Sequence, residues 1–141
     1  IAKGISVVHA DIDEGMKDYK DNSFDYIIIN RTLQALYYPK RIFEDILRVG
    51  KKVIVNYPNF AYYRNRIELF FNGRMPKSKS IPFEWYDTPN IHLFTIADFL
   101  DLCKKEQVKI LNCYYLGVGN KKLPPLFPNL FASYGIFLME K

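Results

Sequence analysis

Phe24-Asp25-Tyr26-Ile27-Ile28-Ile29-Asn30, the run from Pro39 to Gly50, and Lys52-Val53-Ile54-Val55-Asn56-Tyr57 are the stretch on which the fold turns. The first segment is a continuous apolar run of strand length, and such a run is expected to be buried on both faces, as in a parallel sheet. Pro39 suits the opening of a helix, because its missing N–H would have no intrahelical partner there. Ile42, Phe43, Ile46 and Leu47 recur at helical spacing, and Gly50 closes the segment. The third segment is another buried strand, stopped by Pro58. Strand, amphipathic helix and strand in succession predict an α/β layered domain.

Working outward, Ile5 to Ala10 reads as a β-branched strand, and Ile1-Ala2-Lys3-Gly4 as the end of a helix leading into it. Asp11 to Asn22 is polar, a loop with one helical turn within Asp13–Tyr19. Downstream, Tyr62 to Phe71 predicts a helix with Tyr63, Ile67, Phe70 and Phe71 on one side, ended by Asn72-Gly73. Residues 74–94 hold Pro76, Pro82 and Pro89 and no period, so they form a long loop, of a kind that is usually functional or mobile. Thr95 caps a third helix, with Asp98 as a partial capping box and Ile96, Phe99, Leu100 and Cys103 as the buried stripe. Val108–Leu116 and Ser133–Met139 are further strands, joined by a Pro-rich connection.

The chain of 141 residues fits one domain, with 49% hydrophobic and 25% charged residues. That composition argues against disorder, and no apolar run approaches the length of a membrane helix. Two cysteines are too few for a disulfide framework, which makes a reducing cytoplasm the expected compartment. The net charge of +5 is unevenly placed: residues 61–82 carry five Lys/Arg against one Asp/Glu. Arg64, Arg66, Arg74, Lys77 and Lys79, among Tyr62, Phe70, Phe71, Phe83 and Trp85, read either as a solvated surface or as a face for nucleic acid, an anionic ligand or an acidic partner. Five charges are few for a nucleic-acid footprint.

Candidate chemistry is sparse. His9, His92, Cys103 and Cys113 have no zinc-ligand spacing, and the cysteines read as core and strand residues. Gly117-Val118-Gly119-Asn120 is a lone G-x-G that opens no helix, so it reads as a turn. Asp11, Asn30 with Arg31, and Asn56 end three strands in succession. Ligands of open α/β sheets bind at such carboxyl ends. His92 is either a structural loop histidine or a general base.

The residues also carry a resemblance. Ala10-Asp11-Ile12-Asp13-Glu14-Gly15, Asn22-Ser23-Phe24-Asp25-Tyr26 and Thr32-Leu33-Gln34-Ala35 look like the middle of a class I S-adenosylmethionine methyltransferase domain. Tyr57-Pro58-Asn59-Phe60, Gly73-Arg74-Met75-Pro76 and Trp85-Tyr86-Asp87-Thr88-Pro89-Asn90-Ile91-His92-Leu93 closely resemble the methionine biosynthesis protein MetW family. The likeness spans nearly the whole chain and is weakest over residues 114–132.

That resemblance implies a Rossmann-like class I methyltransferase sheet with an antiparallel last strand. S-adenosylmethionine would lie at the strand ends, with Asp11 and Ile12 beside the adenine and Asn30 and Arg31 beside the methionine moiety. It also implies work with a homoserine O-acyltransferase in methionine biosynthesis. The family's glycine-rich first motif and the acidic residue that holds the cofactor ribose do not occur in this sequence. Both are expected before Ile1, in two further strand–helix units between the 5–10 and 24–30 strands, and without them cofactor binding is expected to be weak or lost. Residues 58–94 form the expected cap or docking insertion, with Arg64, Arg66, Arg74 and Trp85 meeting the partner. An active small-molecule methyltransferase would draw on His92 and Tyr86. An RNA methyltransferase or RNA-binding module would use the 61–82 patch, and its binding would fall steeply with salt.

Overall fold

A computed structural model of the protein describes residues 9–141. The strand expected at Ile5–Ala10 and the helix end before it lie outside the described residues, apart from His9 and Ala10, which carry no regular structure. The sheet holds β1 (Phe24–Asn30), β2 (Gly50–Pro58), β3 (Lys109–Leu116), β4 (Lys122–Leu123) and β5 (Tyr134–Glu140), in the order β1-β2-β5-β3-β4. β1 and β2 are parallel, and every pair involving β5 or β4 is antiparallel. The last strand is therefore antiparallel, inserted between β2 and β3.

Helices α1 (Pro39–Val49) and α3 (Ile96–Lys105) cover one face of this sheet. The inward residues of β2, Val53, Val55 and Tyr57, alternate with outward ones, and β5 answers with Phe137 and Met139. Phe99 of α3 anchors the layer: its ring lies 4.9 Å from Tyr57, 5.1 Å from Phe137 and 5.7 Å from Phe43 of α1. Thr95 and Asp98 cap α3 reciprocally, a complete capping box. Its buried residues are Ile96, Phe99 and Cys103, while Leu100 is half-buried against the core. Gly50 joins α1 to β2 in an extended conformation, and a Cβ there would meet Ile27 at 2.8 Å. The Ile27 side chain of β1 packs over this position, so the glycine leaves room for it and makes no left-handed turn.

Three expectations need correction. β1 is not buried on both faces: Tyr26 is 56% and Ile28 67% exposed. Among the described residues, β1 is an edge strand covered by helix on one side only, so the alternate side chains face outward. The helix around residue 67 forms, as α2 (Tyr63–Asn72), but its only buried residue is Asn65. The stripe of Ile67, Phe70 and Phe71 points to solvent, because the helix is anchored by an asparagine and not by its apolar side. The helical turn sought in Asp13–Tyr19 occurs earlier, as a 3-10 turn at Ile12–Glu14.

The 117–132 connection holds a turn, the short β4 and a four-residue helix, α4 (Pro128–Phe131). The Gly117–Asn120 segment is a turn, with Gly119 at φ 77° and Asn120 at φ 61°. The polar segment after Asp11 is tied to α1. Asp13 accepts from the Tyr37 and Tyr38 amides, and Arg41 and Arg48 donate to carbonyls of Glu14, Met16 and Tyr19.

Candidate functional site

β2 and β3 both run antiparallel to β5, and β1 runs parallel to β2. The carboxyl ends of β1, β2 and β3 therefore meet the amino end of β5 at one edge of the sheet. Tyr134 stands at the centre of that edge, paired with Pro58 on one side and Leu116 on the other. Asn30 and Asn56 lie side by side, with the Asn56 Nδ2 donating to Asn30 Oδ1 at 2.8 Å. Asn56 Oδ1 and Gln34 Oε1 are buried acceptors without a partner among the described residues. Arg31, in the left-handed region at φ 52°, places its guanidinium 4.6 Å from the Tyr134 ring centroid. Of the three polar strand ends expected at one crevice, Asn30, with Arg31 next to it, and Asn56 lie together, and Asp11 instead caps the 3-10 turn.

A cavity of about 440 Å³ opens beside Tyr134. Its walls come from α2, the 77–80 loop and the Gly117–Asn120 turn. Arg64, Lys77 and Lys79 supply positive charge, and Glu68 a single carboxylate. Lys77 pairs with Glu84, and Glu68 accepts from the Lys77 amide at 3.3 Å. Arg64 Nε donates to the Tyr63 hydroxyl at 3.2 Å, which draws that phenol below its ordinary pKa. Neighbouring Tyr62 is shifted upward, chiefly by burial.

Asn59 fixes this edge to the rest of the fold. It is wholly buried, and its Nδ2 donates to the carbonyls of Ala132 (2.8 Å) and Asn129 (3.1 Å). Its Oδ1 accepts from the amides of Ala61 (3.2 Å) and Ile96 (3.3 Å). One amide thereby ties the β2 exit to α3, α4 and the approach to β5. Arg66 adds a second clamp, donating to Ala61 O at 2.6 Å and Asn129 O at 3.4 Å. The signal for Asn59 was in the Tyr57-Pro58-Asn59-Phe60 motif, whose plainest reading was a strand end stopped by proline. Lys79 belongs to the basic stretch legible in the sequence, but nothing in the sequence marks Ser78, Ser80 or Tyr134, since only tertiary contact brings them to it.

The other expected site residues are dispersed. Asp11 is exposed, and its Oδ1 caps the 3-10 turn by accepting from Asp13 N at 2.9 Å. Ile12 packs half-buried against the core. His92 is exposed, and its amide donates to Gln34 O at 2.9 Å. It lines an apolar hollow with Leu33, Phe94, Phe99 and Leu102, on the helical side of the sheet. Tyr86 is 73% exposed, edge-on to Trp85. Neither His92 nor Tyr86 lines the strand-end cavity.

Arg74 and Trp85 share a separate hollow with Met75 and Phe83. The chain enters it through Gly73, the left-handed cap of α2 at φ 58°. Of the five cations of 61–82, Arg64 and Lys79 line the first cavity, Arg74 the second hollow, Lys77 both, and Arg66 forms the clamp. Among the described residues, no group of three His, Cys, Asp or Glu is placed to hold a metal, and no helix is long and apolar enough to cross a membrane.

Comparison with known proteins places the chain in a family and a fold. A family model for methionine biosynthesis protein MetW matches residues 1–139. The chain is 35% identical, over 99% of its length, to the bifunctional methionine biosynthesis protein MetXA/MetW of Rhodopirellula baltica, and spans 23% of that protein's length. Among solved structures, a SAM-dependent methyltransferase from Archaeoglobus fulgidus matches with a TM-score of 0.64 at 10% identity, over 99% of this chain and 69% of that one. A SAM-dependent methyltransferase of Thermotoga maritima, described as a possible histamine N-methyltransferase, matches with a TM-score of 0.60 at 16% identity, over 92% and 60%. At such identities the likeness is one of fold, that of the class I SAM-dependent methyltransferases.

Proposed function

The chain belongs to the family of methionine biosynthesis protein MetW, and on that premise we propose that it acts beside a homoserine O-acyltransferase, docking through exposed aromatics of the segment that joins β2 to α3. The observation that carries the docking is the exposure of large aromatics there: Phe70 82%, Phe71 76%, Trp85 72% and Tyr86 73%. Single exposed apolar residues are ordinary on a protein surface, but these stand as two packed pairs, Phe70 with Phe71 and Trp85 with Tyr86, and exposed apolar patches mark interaction sites. Aromatic and arginine side chains are also the usual anchors of interfaces, and Arg74 shares a hollow with Trp85. The Rhodopirellula relative supports the association, since its name joins MetXA to MetW in one protein.

S-adenosylmethionine is the cofactor proposed for the strand ends. The unpaired acceptors Asn56 Oδ1 and Gln34 Oε1 suit a ligand that brings donors, as the cofactor's ammonium group does. Asn30 and Arg31 would flank that end. Asp11 would accept the adenine amine through the oxygen not used by Asp13, with Ile12 offering its amide alongside. When bound, the cofactor supplies an activated methyl group.

The docking is tested by calorimetric titration of the protein with the homoserine O-acyltransferase of the same organism. Trp85→Ala and Phe70→Ala should each weaken binding by about tenfold or more, the usual effect of truncating an aromatic anchor. Their unfolding curves should match the parent, because both side chains are exposed. Parent-like affinity in the double variant would refute this docking face.

A further inference from the structure

We infer that the cavity beside Tyr134 is a binding site for a small organic anion, a carboxylate or a phosphate, held by Arg64 and Lys79 with a serine hydroxyl as a further donor. This goes beyond the proposed partner docking, which uses the exposed aromatics Phe70 and Trp85, neither of which lines the cavity.

The charge balance points that way. Lys77 is matched by Glu84, and the one carboxylate of the wall, Glu68, is engaged by the Lys77 amide. Arg64 and Lys79 have no carboxylate partner among the described residues. Arg31 adds a third unmatched cation behind the Tyr134 ring. Like charges lining a concave wall focus their field into the opening. A guanidinium beside an ammonium suits an oxyanion, because the planar fork binds two oxygens while the ammonium acts as a point charge.

Donor bookkeeping agrees. Ser78 Oγ and Ser80 Oγ lie 3.1 Å apart, so one hydroxyl hydrogen satisfies the pair and the other remains to be donated. The loop that presents them is fixed. Ser78 and Ile81 exchange both backbone hydrogen bonds at 3.0 Å, and the Tyr134 hydroxyl donates to Lys79 O at 3.4 Å. Ser80 and Ile81 are buried. Donors set on a fixed loop cost less ordering on binding than donors on a free one.

Size restricts the ligand. About 440 Å³ lies within the roughly 300–1,000 Å³ of small-molecule sites. Its place also suits a ligand, beside the amino end of β5 and the turn that follows the carboxyl end of β3.

The test is an amide NMR titration of the protein with succinate, inorganic phosphate and the neutral succinamide. At least one anion should saturate at millimolar concentration or below, with shifts centred on residues 78–80 and 118–120, and succinamide should give none. The stronger of succinate and phosphate identifies which oxyanion the site takes. The Arg64→Ala, Lys79→Ala double variant should bind about tenfold more weakly or worse, since each removes a charge-assisted contact. Arg64→Lys with Lys79→Arg should retain binding, and Lys51→Ala, whose cation is paired with Asp25, should leave it unchanged.

The proposal is overturned if neither anion saturates, if succinamide binds as well, or if the double variant binds like the parent. It is also overturned if a single-stranded RNA binds more tightly with steep salt dependence, which would mark a polyanion track. The double variant should keep its affinity for the acyltransferase, so failure here is distinguishable from failure of the docking.

Discussion

Replacing Asn59 by alanine removes a wholly buried side chain that makes four hydrogen bonds. Asn129 O keeps a partner in Arg66, so three groups are orphaned: Ala132 O, Ala61 N and Ile96 N. A buried polar group left unpaired costs about 1–3 kcal/mol, and relaxation lowers the sum, so the expected loss is roughly 3–5 kcal/mol. That corresponds to a fall in Tm on the order of 10–20 °C for a chain of this size. Urea unfolding followed by far-UV circular dichroism measures it. Asn59→Asp sharpens the test. It keeps the acceptor but sets a carboxylate against two carbonyls, so burial must raise its pKa above the unfolded value of about 3.9. A group whose folded pKa is raised binds more protons in the native state, so stability falls as pH rises through that window. Asn59→Asp should therefore be closest to the parent near pH 4 and worst near pH 7. A loss below about 1 kcal/mol in Asn59→Ala, or a pH-independent deficit in Asn59→Asp, would refute the assignment of Asn59 as the anchor of this edge.

Tyr57→Phe should be neutral or stabilising by up to about 1 kcal/mol in the same unfolding assay, because its buried hydroxyl has no partner in the fold. Phe99→Ala should cost about 3–5 kcal/mol, since its ring joins α1, α3 and the sheet. Burial pushes the Cys103 thiol up to about 11, so it should resist iodoacetamide at pH 8 in the native protein and react when urea unfolds it. Lys51 lowers the Asp25 pKa, so the pair favours the fold above the unfolded carboxylate value and loses its effect as pH falls through the folded one. In Lys51→Ala the Asp25 titration, followed by NMR, should move upward, and high salt should do the same in the parent.

The local elements were legible because their causes are local. Pro39, the i, i+4 apolar spacing after it and the Thr95–Asp98 cap specify helices through neighbours a turn away. The alternation of strands and helices pointed to the α/β class, and the motifs at residues 57–60, 73–76 and 85–93 carried the family resemblance, which the match over residues 1–139 bears out. What a side chain does once its element forms was not legible in the same way. Ile67, Phe70 and Phe71 have the spacing of a core stripe and lie in solvent. Tyr26 and Ile28 belong to a run that reads as buried and stand on an open face.

The cavity beside Tyr134 shows the division most clearly. Arg64, Lys79, Gly119 and Tyr134 are far apart in sequence, and no period or spacing relates them. They meet because β5 enters antiparallel between β2 and β3, bringing its amino end to their carboxyl ends. By itself the sequence determined which segments become strands and helices, since hydrophobic period and capping act over a few residues, and its motifs carried the resemblance to the family. Only the tertiary structure decided which polar groups converge and which aromatics stay outside, because both depend on strand order and on what covers each face.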